Sequence, residues 1–173
     1  GLDEAIAMAG KARALGIRCA VGTQARMSPT VNYVRDLIAQ GFVGEVLSTS
    51  LIGSGMAWGA FTDNANAYTN DIANGATMLT IPVGHTMAGV CHCLGEVAEV
   101  SATLNHGRKT LLNAESGQTI TMTAHDQVAF SGTFASGATL SVHYRGGFNR
   151  GTGLLWEING TEGDLQITSM AGH

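Results

Sequence analysis

The amino-terminal part of the chain combines a helical apolar pattern with a short strand-like run. Within residues 2–16, apolar side chains recur every three or four positions, acidic residues stand in the first turn, and Gly16 suits a carboxyl-terminal cap. Residues 17–21 then form a mainly apolar run that predicts a short buried strand. One such unit cannot make a sheet by itself, so we expect residues 1–25 to be the trailing elements of a doubly wound α/β domain.

A second helix and a strand-rich region follow. Ser28 and Pro29 are typical of a helix start, an apolar stripe covers residues 31–38, and Gly41 is typical of a helix end. The sequence also predicts a series of strands, at residues 45–53, 97–104, 119–123, 128–134, 139–144, 154–158 and 164–168. Short gaps between successive strands favour antiparallel pairing, because a parallel crossover needs about a dozen residues. We therefore predict that residues 26–173 form an α+β fold, with a largely antiparallel sheet and helices on one face.

The segments between these elements add a long loop and one more helix. Residues 54–76 are rich in Gly, Asn, Thr and Ala and predict a long loop, whereas residues 86–94 predict a helix that Gly95 closes. The second face of the sheet is rich in Thr and Ser. A flat, uncharged face of this kind indicates either contact between subunits of a homo-oligomer or a solvated surface, and both interpretations remain open.

Composition narrows the classes of protein to consider. Charged residues make up only 13% of the chain, which indicates extensive burial against another domain or a subunit. The net charge is −4 and basic residues cluster only at Arg108 and Lys109, so we expect no direct contact with nucleic acid. No apolar run reaches the roughly 18 residues that span a bilayer, and no signal peptide opens the chain. Three cysteines, an odd number, fit a reducing cytoplasm better than a disulfide scaffold.

The segment that ends at His85 is the sharpest candidate for chemistry. Small residues at positions 74–77 let the backbone approach a ligand closely, and Pro82 and Gly84 force an irregular path. This path predicts that His85 lies at or just before the amino end of the 86–94 helix. There the helix dipole disfavours imidazolium, so a neutral His85 could exchange a proton near neutral pH. A helix-entry histidine that bonds the backbone is the alternative.

A second candidate lies where the predicted strand at residues 17–21 leads into the next helix. Ligands of α/β folds collect at the carboxyl ends of strands, so Gln24 and Arg26 are placed to contact a cofactor or an anionic group. A structural arginine that braces two domains is an equally good interpretation of Arg26. The Cys91-His92-Cys93 tripeptide is not predicted to bind a metal, because on a helix its two cysteines point about 200° apart.

Five segments together resemble a known family. They occur in the order expected of one fold, at residues 2–5, 21–29, 41–46, 75–85 and 157–163. In this order they resemble the glucose–fructose oxidoreductase, inositol dehydrogenase and rhizopine-catabolism family (Gfo/Idh/MocA), over nearly the whole chain. The resemblance implies a Rossmann-type dinucleotide-binding domain followed by a sheet domain that binds a sugar or polyol and mediates oligomerisation.

The resemblance also carries expectations about the ends of the chain and the cofactor. In the family, the Gly-rich phosphate loop and a catalytic Lys precede the position of Gly1, and the sheet domain continues past the position of His173. It therefore implies that the chain is a truncated product. The intact protein is expected to bind NAD or NADP, and this chain alone is expected to bind neither.

The resemblance is incomplete at the catalytic motif. Catalytic members carry one Asp four residues before the histidine and another three residues after it, but these positions are Ile81 and Ala88 here. Residues 79–86 instead resemble the galactose-regulatory branch of the family, which binds dinucleotide without needing catalysis. Asp71 and Thr80 are the candidates for contact with the substrate.

These observations lead to one functional prediction and one alternative. The prediction is an NAD(P)-dependent oxidoreductase that acts on a sugar or polyol by hydride transfer. In it His85 assists proton transfer, and Gln24 and Arg26 line the cofactor side. The alternative is a non-catalytic regulator of the same fold that senses dinucleotide or sugar, which Ile81 and Ala88 favour.

Overall fold

A computed structural model of the protein describes residues 1–170 and confirms the α+β fold. The α-helices are α1 (Leu2–Ala14), α2 (Pro29–Ala39) and α3 (Gly84–Leu94). The strands are β1 (Val46–Gly55), β2 (Phe61–Thr62), β3 (Val97–Asn105), β4 (Thr110–Asn113), β5 (Thr119–Thr121), β6 (Gln127–Phe134), β7 (Thr139–Gly146), β8 (Leu154–Gly160) and β9 (Asp164–Ser169). None of the helices within residues 1–170 has the length and apolarity needed to cross a bilayer.

Six of the strands form the main sheet, in the order β3-β6-β7-β1-β8-β9. All neighbours in this sheet pair antiparallel except β1 and β7, which are parallel. The parallel pair is sterically available because more than 80 residues separate the two strands along the chain. A second, smaller sheet has the order β2-β4-β5. The prediction of a largely antiparallel sheet is therefore confirmed.

The two faces of the main sheet differ in polarity, as the alternation predicts. Apolar side chains of the inner face pack with residues of α2 and α3 in one buried cluster, which includes Val34, Leu51, Val90, Leu140, Val142, Trp156 and Ile158. The opposite face carries mainly Ser and Thr from neighbouring strands, including Ser48, Ser50, Ser131, Thr139, Ser141 and Thr168. Helices thus cover one face, and the other is the predicted polar face.

The predicted strand at residues 17–21 is wrong. These residues have no regular secondary structure, and Ile17 and Val21 are 57% and 88% exposed. The physical reason is pairing: a strand needs a neighbour to bond its backbone groups, and no strand within residues 1–170 lies beside this segment. The helix before it forms as predicted, but α1 buries none of its residues.

The segment predicted as a long loop contains short regular pieces. Residues 54–76 include the end of β1, the two-residue β2 and three single-turn 3₁₀ helices at residues 56–58, 67–70 and 72–74. Trp58 anchors the segment, because its ring is buried and its Nε1 donates a hydrogen bond of 2.9 Å to the carbonyl of Thr69. One buried aromatic residue therefore orders a stretch that has little apolar periodicity.

A tyrosine at the centre of the sheet joins it to α3. Tyr144 lies directly opposite Gly53 in the parallel β1–β7 pair, and its ring fills the space that a β-carbon on Gly53 would occupy. The hydroxyl of Tyr144 is 2.5 Å from the hydroxyl of Thr86 on α3, in a fully buried contact. A glycine at position 53 therefore allows the ring to lie flat on β1 and reach the helix.

We expect this contact to affect stability at alkaline pH. Burial raises the pKa of Tyr144 to about 12, from an ordinary value near 10. The unfolded chain loses the phenolic proton near pH 10 and the folded chain keeps it up to about pH 12, so the free energy of unfolding falls as pH rises between these values. Tyr144→Phe should lower stability by about 1 kcal/mol near neutral pH and weaken this alkaline decline.

The measurement is urea unfolding as a function of pH. The exposed Tyr33 provides the matched control, since Tyr33→Phe should leave both the stability and its pH dependence unchanged. An alkaline decline of the same size in Tyr144→Phe and in the unaltered protein would contradict the assignment.

Candidate functional site

The helix that carries His85 starts earlier than the sequence predicts. A single π-helical turn, Leu79–Val83, contains Pro82 and runs directly into α3, which begins at Gly84. His85 is therefore the second residue of α3 and is half-buried, with helical backbone on both sides. The predicted place of His85 at the amino end of the helix agrees with its position in the first turn of α3, but the π turn runs into this helix without a break. The free amide groups at the start of the helical path therefore belong to the residues before α3.

Thr80 and Asp71, the two predicted substrate contacts, both bond neighbouring groups of the chain. The Thr80 hydroxyl donates to the carbonyl of Gly75 at 2.7 Å and accepts from the amide of Thr77 at 2.9 Å. The Asp71 carboxylate accepts from the amide of Ala73 and from the hydroxyl of Thr123, each at 3.0 Å. Both residues are exposed, and these bonds shape the approach to α3. Their contact with a substrate stays a prediction.

Gln24 and Arg26 lie in a short 3₁₀ turn, Gln24–Met27, that packs along α3. Both side chains are exposed. The structure thus brings the turn with the two predicted cofactor contacts next to the helix that carries His85.

A second histidine of α3, His92, lies close enough to Arg26 to be affected by its charge. His92 follows His85 by seven residues, which places both on nearly the same face of the helix. The Nη1 of Arg35 is 3.0 Å from Nε2 of His92, and Arg35 also bonds the carboxylate of Asp36. Partial burial and the positive charges of Arg26 and Arg35 lower the pKa of His92. This side of α3 therefore combines two imidazoles with two guanidinium groups.

A pocket of about 230 Å³ lies on the sheet side of α3. Its lining includes Trp156 and several apolar residues, together with the hydroxyl-bearing residues Ser28, Thr30, Thr86 and Ser169. His85 does not line this pocket, but its neighbour Thr86 does. The arrangement suits a small molecule with both apolar and hydroxyl surface.

Metal binding receives no support at the cysteines of α3. Cys93 Sγ donates to the carbonyl of Val31 at 3.4 Å, and burial raises the pKa of this thiol to about 11. Burial also raises the pKa of Cys91. Across residues 1–170, no three His, Cys, Asp or Glu side chains come close enough together to hold a metal ion.

The sequence missed the partners of the candidate residues. Tyr144, Thr86 and Arg35 are separated from each other by about 50 residues or more along the chain, and neither Tyr144 nor Arg35 stands in a recognisable motif. The Cys91-His92-Cys93 tripeptide drew attention to His92 for its metal-like pattern. In the structure, His92 instead forms part of a cationic surface with Arg35 and Arg26.

Comparison with known sequences identifies a family. The model of the C-terminal domain of Gal80p matches residues 29–169. The galactose/lactose metabolism regulatory protein GAL80 of Saccharomyces cerevisiae is 27% identical over 185 residues, which covers 99% of this chain and 42% of the relative. This chain thus spans less than half the length of that protein.

Solved structures share the fold. A super-repressor mutant of Gal80p from Saccharomyces cerevisiae superposes with a TM-score of 0.91 at 26% identity, over 99% of this chain and 47% of that one. An NAD-binding oxidoreductase from Klebsiella pneumoniae gives a TM-score of 0.80 at 22% identity, over 96% of this chain and 44% of that one. Levoglucosan dehydrogenase in complex with NADH and L-sorbose gives a TM-score of 0.71 at 21% identity, over 88% of this chain and 41% of that one.

The two comparisons agree with the resemblance found in the sequence. The oxidoreductases share the fold of this chain, and the family model covers most of its length. The chain belongs to the family of the Gal80p C-terminal domain, which is structurally close to NAD-binding oxidoreductases of the Gfo/Idh/MocA type.

Proposed function

We propose that the chain is the substrate-side part of an NAD(P)-dependent oxidoreductase that acts on a sugar or polyol. The observation that carries the proposal is the packing of the Gln24–Met27 turn along α3, which puts the two predicted cofactor contacts beside the helix of His85. Levoglucosan dehydrogenase, a solved protein of the same fold, has been seen in complex with NADH and L-sorbose.

The side chains of the Gln24–Met27 turn fit the polar groups of a dinucleotide. Arg26 is an exposed guanidinium with no ion pair among residues 1–170, so it can face a phosphate, and the Gln24 amide can both donate and accept hydrogen bonds. When bound, the nicotinamide would accept or deliver the hydride. His85 is assigned the transfer of the hydroxyl proton at its imidazole nitrogen.

The pocket beneath α3 is the proposed place for part of the substrate. Its hydroxyl groups can exchange hydrogen bonds with those of a polyol, and the Trp156 indole and neighbouring apolar side chains can contact the carbon skeleton. Thr86 belongs both to this pocket and to the helix of His85. Asp71 and Thr80, whose side chains are both exposed, keep their proposed role as further contacts of the substrate.

A dinucleotide- or sugar-sensing regulator is the second candidate function. It is favoured by the apolar residues at positions 81 and 88, and by Asp71, whose carboxylate already bonds Thr123. GAL80, a named regulatory relative, supports the same candidate. In such a protein the surface of α3 would bind dinucleotide or sugar without turnover. A protein partner would then bind the liganded and unliganded forms with different affinity.

The remaining features of the proposal concern assembly. We assign residues 1–25 to the end of a dinucleotide-binding domain, since α1 buries none of its residues against the sheet. The Ser- and Thr-rich face of the main sheet is the proposed contact between copies in a homo-oligomer. Three unpaired thiols are in keeping with a reducing cytoplasm.

The first test replaces the proposed proton-transfer group. In the intact protein, screened against sugars and polyols with NAD and NADP, His85→Asn should lower kcat by about a hundredfold or more, because one acid–base group contributes roughly 10²–10⁴. His125→Asn, a change in a half-buried histidine after β5, should leave kcat unchanged. If no substrate turns over while NAD still binds, the regulator is the better assignment.

The second test compares the contribution of Arg26 to cofactor binding with that of the Gly-rich loop expected elsewhere in the intact protein. NADH should bind the intact protein and not residues 1–173 alone, because a pyrophosphate needs a cradle of backbone amides such as a Gly-rich loop. Arg26→Ala should weaken NADH binding to the intact protein about tenfold, through loss of one charge-assisted contact. Calorimetric titration measures both effects. Tight binding of NADH to residues 1–173 alone would contradict the proposal that the pyrophosphate is held outside these residues.

The third test addresses the polar sheet face. Ser141 lies near its centre, so Ser141→Arg should place like charges against each other in an oligomer and lower the sedimentation mass of the intact protein. Ser136→Arg, in the turn between β6 and β7, is the control and should leave the mass unchanged. Equal masses for both variants and the unaltered protein would exclude this face as the contact.

A further inference from the structure

A groove far along the sequence from His85 carries the most exposed aromatic surface of the sheet domain. Phe148 is 86% exposed, Phe61 62% and Met56 48%, and all three line one groove of about 400 Å³. Large apolar side chains that share a concave surface mark binding sites more often than chance exposure. None of these residues belongs to the surface assigned above to cofactor or substrate.

The backbone beneath the groove is fixed from several sides. The turn after β1 and the segment after β7 are in backbone contact, because a β-carbon on Gly59 would lie 2.6 Å from Cα of Gly147. The amide of Gly147 donates to the carbonyl of Gly55 at 2.8 Å. Gly146 donates to the carbonyl of Asp126 at 2.7 Å, and the buried carboxylate of Asp126 pairs with Arg108 at 3.0 Å.

The opposite wall of the groove is fixed by the small sheet. Phe61 lies in β2, which pairs with β4, and the amide of Ala114 donates to the carbonyl of Thr62 at 2.9 Å. Both walls are therefore preorganised, so a ligand would not have to order the backbone when it binds. A loop with scattered apolar residues would have to be ordered when a ligand binds, whereas this groove would not.

The polar groups at the rim specify the chemistry of a ligand. Asp63 and Asn66 line the groove next to Phe61. Asn66 donates through its backbone and side chain to the carboxylate of Asp63, and these bonds lower the pKa of Asp63 and keep it ionised. The rim therefore presents a fixed carboxylate and an amide oxygen, both acceptors for hydroxyl groups.

We propose that this groove, between Phe61 and Phe148 with Asp63 and Asn66 at its rim, is a second binding site for a sugar or cyclic polyol. The apolar face of the ring packs on the aromatic side chains and Met56, and the hydroxyls at the ring edge donate to Asp63 and Asn66. Shallow grooves with an apolar floor and a few convergent acceptors suit such amphipathic rings. The site does not depend on His85 or on a dinucleotide.

The test follows backbone amide resonances of the ¹⁵N-labelled protein during titration with methyl β-D-glucopyranoside. Amides that line the groove, at Ala57, Thr62 and Ala114, should shift in a saturable manner. Phe61→Ala should weaken binding about tenfold, as expected for loss of one aromatic contact with the ring. Phe42→Ala removes a comparably exposed phenylalanine elsewhere, 56% exposed, and should leave binding unchanged.

Two further measurements make the result decisive. Glycerol, an acyclic polyol with no apolar ring face, should cause much smaller shifts at the same concentrations. Phe148→Ala removes the most exposed side chain of the groove, so it tests the site even if Phe61→Ala fails to fold. Shifts that persist in Phe148→Ala, shifts as large with glycerol as with the glucoside, or no saturable shift at all would each overturn the proposal.

Discussion

The pairing of β1 with β7 on one side and β8 on the other is the contact on which the rest of this structure depends. It places β1 at the centre of the main sheet and sets which side chains face the helices. Within this pairing, Gly53 lies opposite Tyr144, and the tyrosine ring crosses the glycine to reach Thr86. The position of α3, and with it that of His85, is therefore fixed by a contact between two central strands.

The sequence predicts most of the sheet because period-two alternation survives in strands with one buried face. The strands around Val128 and Leu140 and the helix capped by Ser28, whose hydroxyl accepts from the amide of Val31, all form where expected. Two departures from the prediction have physical reasons. The strand predicted at residues 17–21 does not form, because no strand within residues 1–170 lies beside it, and β4 was not predicted, because four residues are too few to show a pattern.

The candidate sites are less predictable than the fold, because they join distant parts of the chain. His85 and Arg26 could be selected from their surroundings in sequence. The helical path around Pro82 could not, since a π turn has no simple sequence signal. The aromatic groove could not be predicted from the sequence for a similar reason. Phe61 and Phe148 are more than 80 residues apart, and each stands in a segment without periodicity. Tertiary contacts such as the close approach of Gly59 to Gly147 bring these segments together.

The central place of β1 has a consequence for how the domain is made. β1 is the first strand of the main sheet to leave the ribosome, yet both of its neighbours are synthesised more than 80 residues later. Until then its apolar residues, such as Leu51, have no sheet to join, and the entropy of closing two long loops opposes early pairing. β6 and β7 are neighbours along the chain and can pair soon after synthesis, whereas β1 has both of its neighbours only when β8 emerges. During translation, the nascent domain therefore passes through a stage in which its middle strand has no neighbours, and exposed strands of this kind are prone to aggregate.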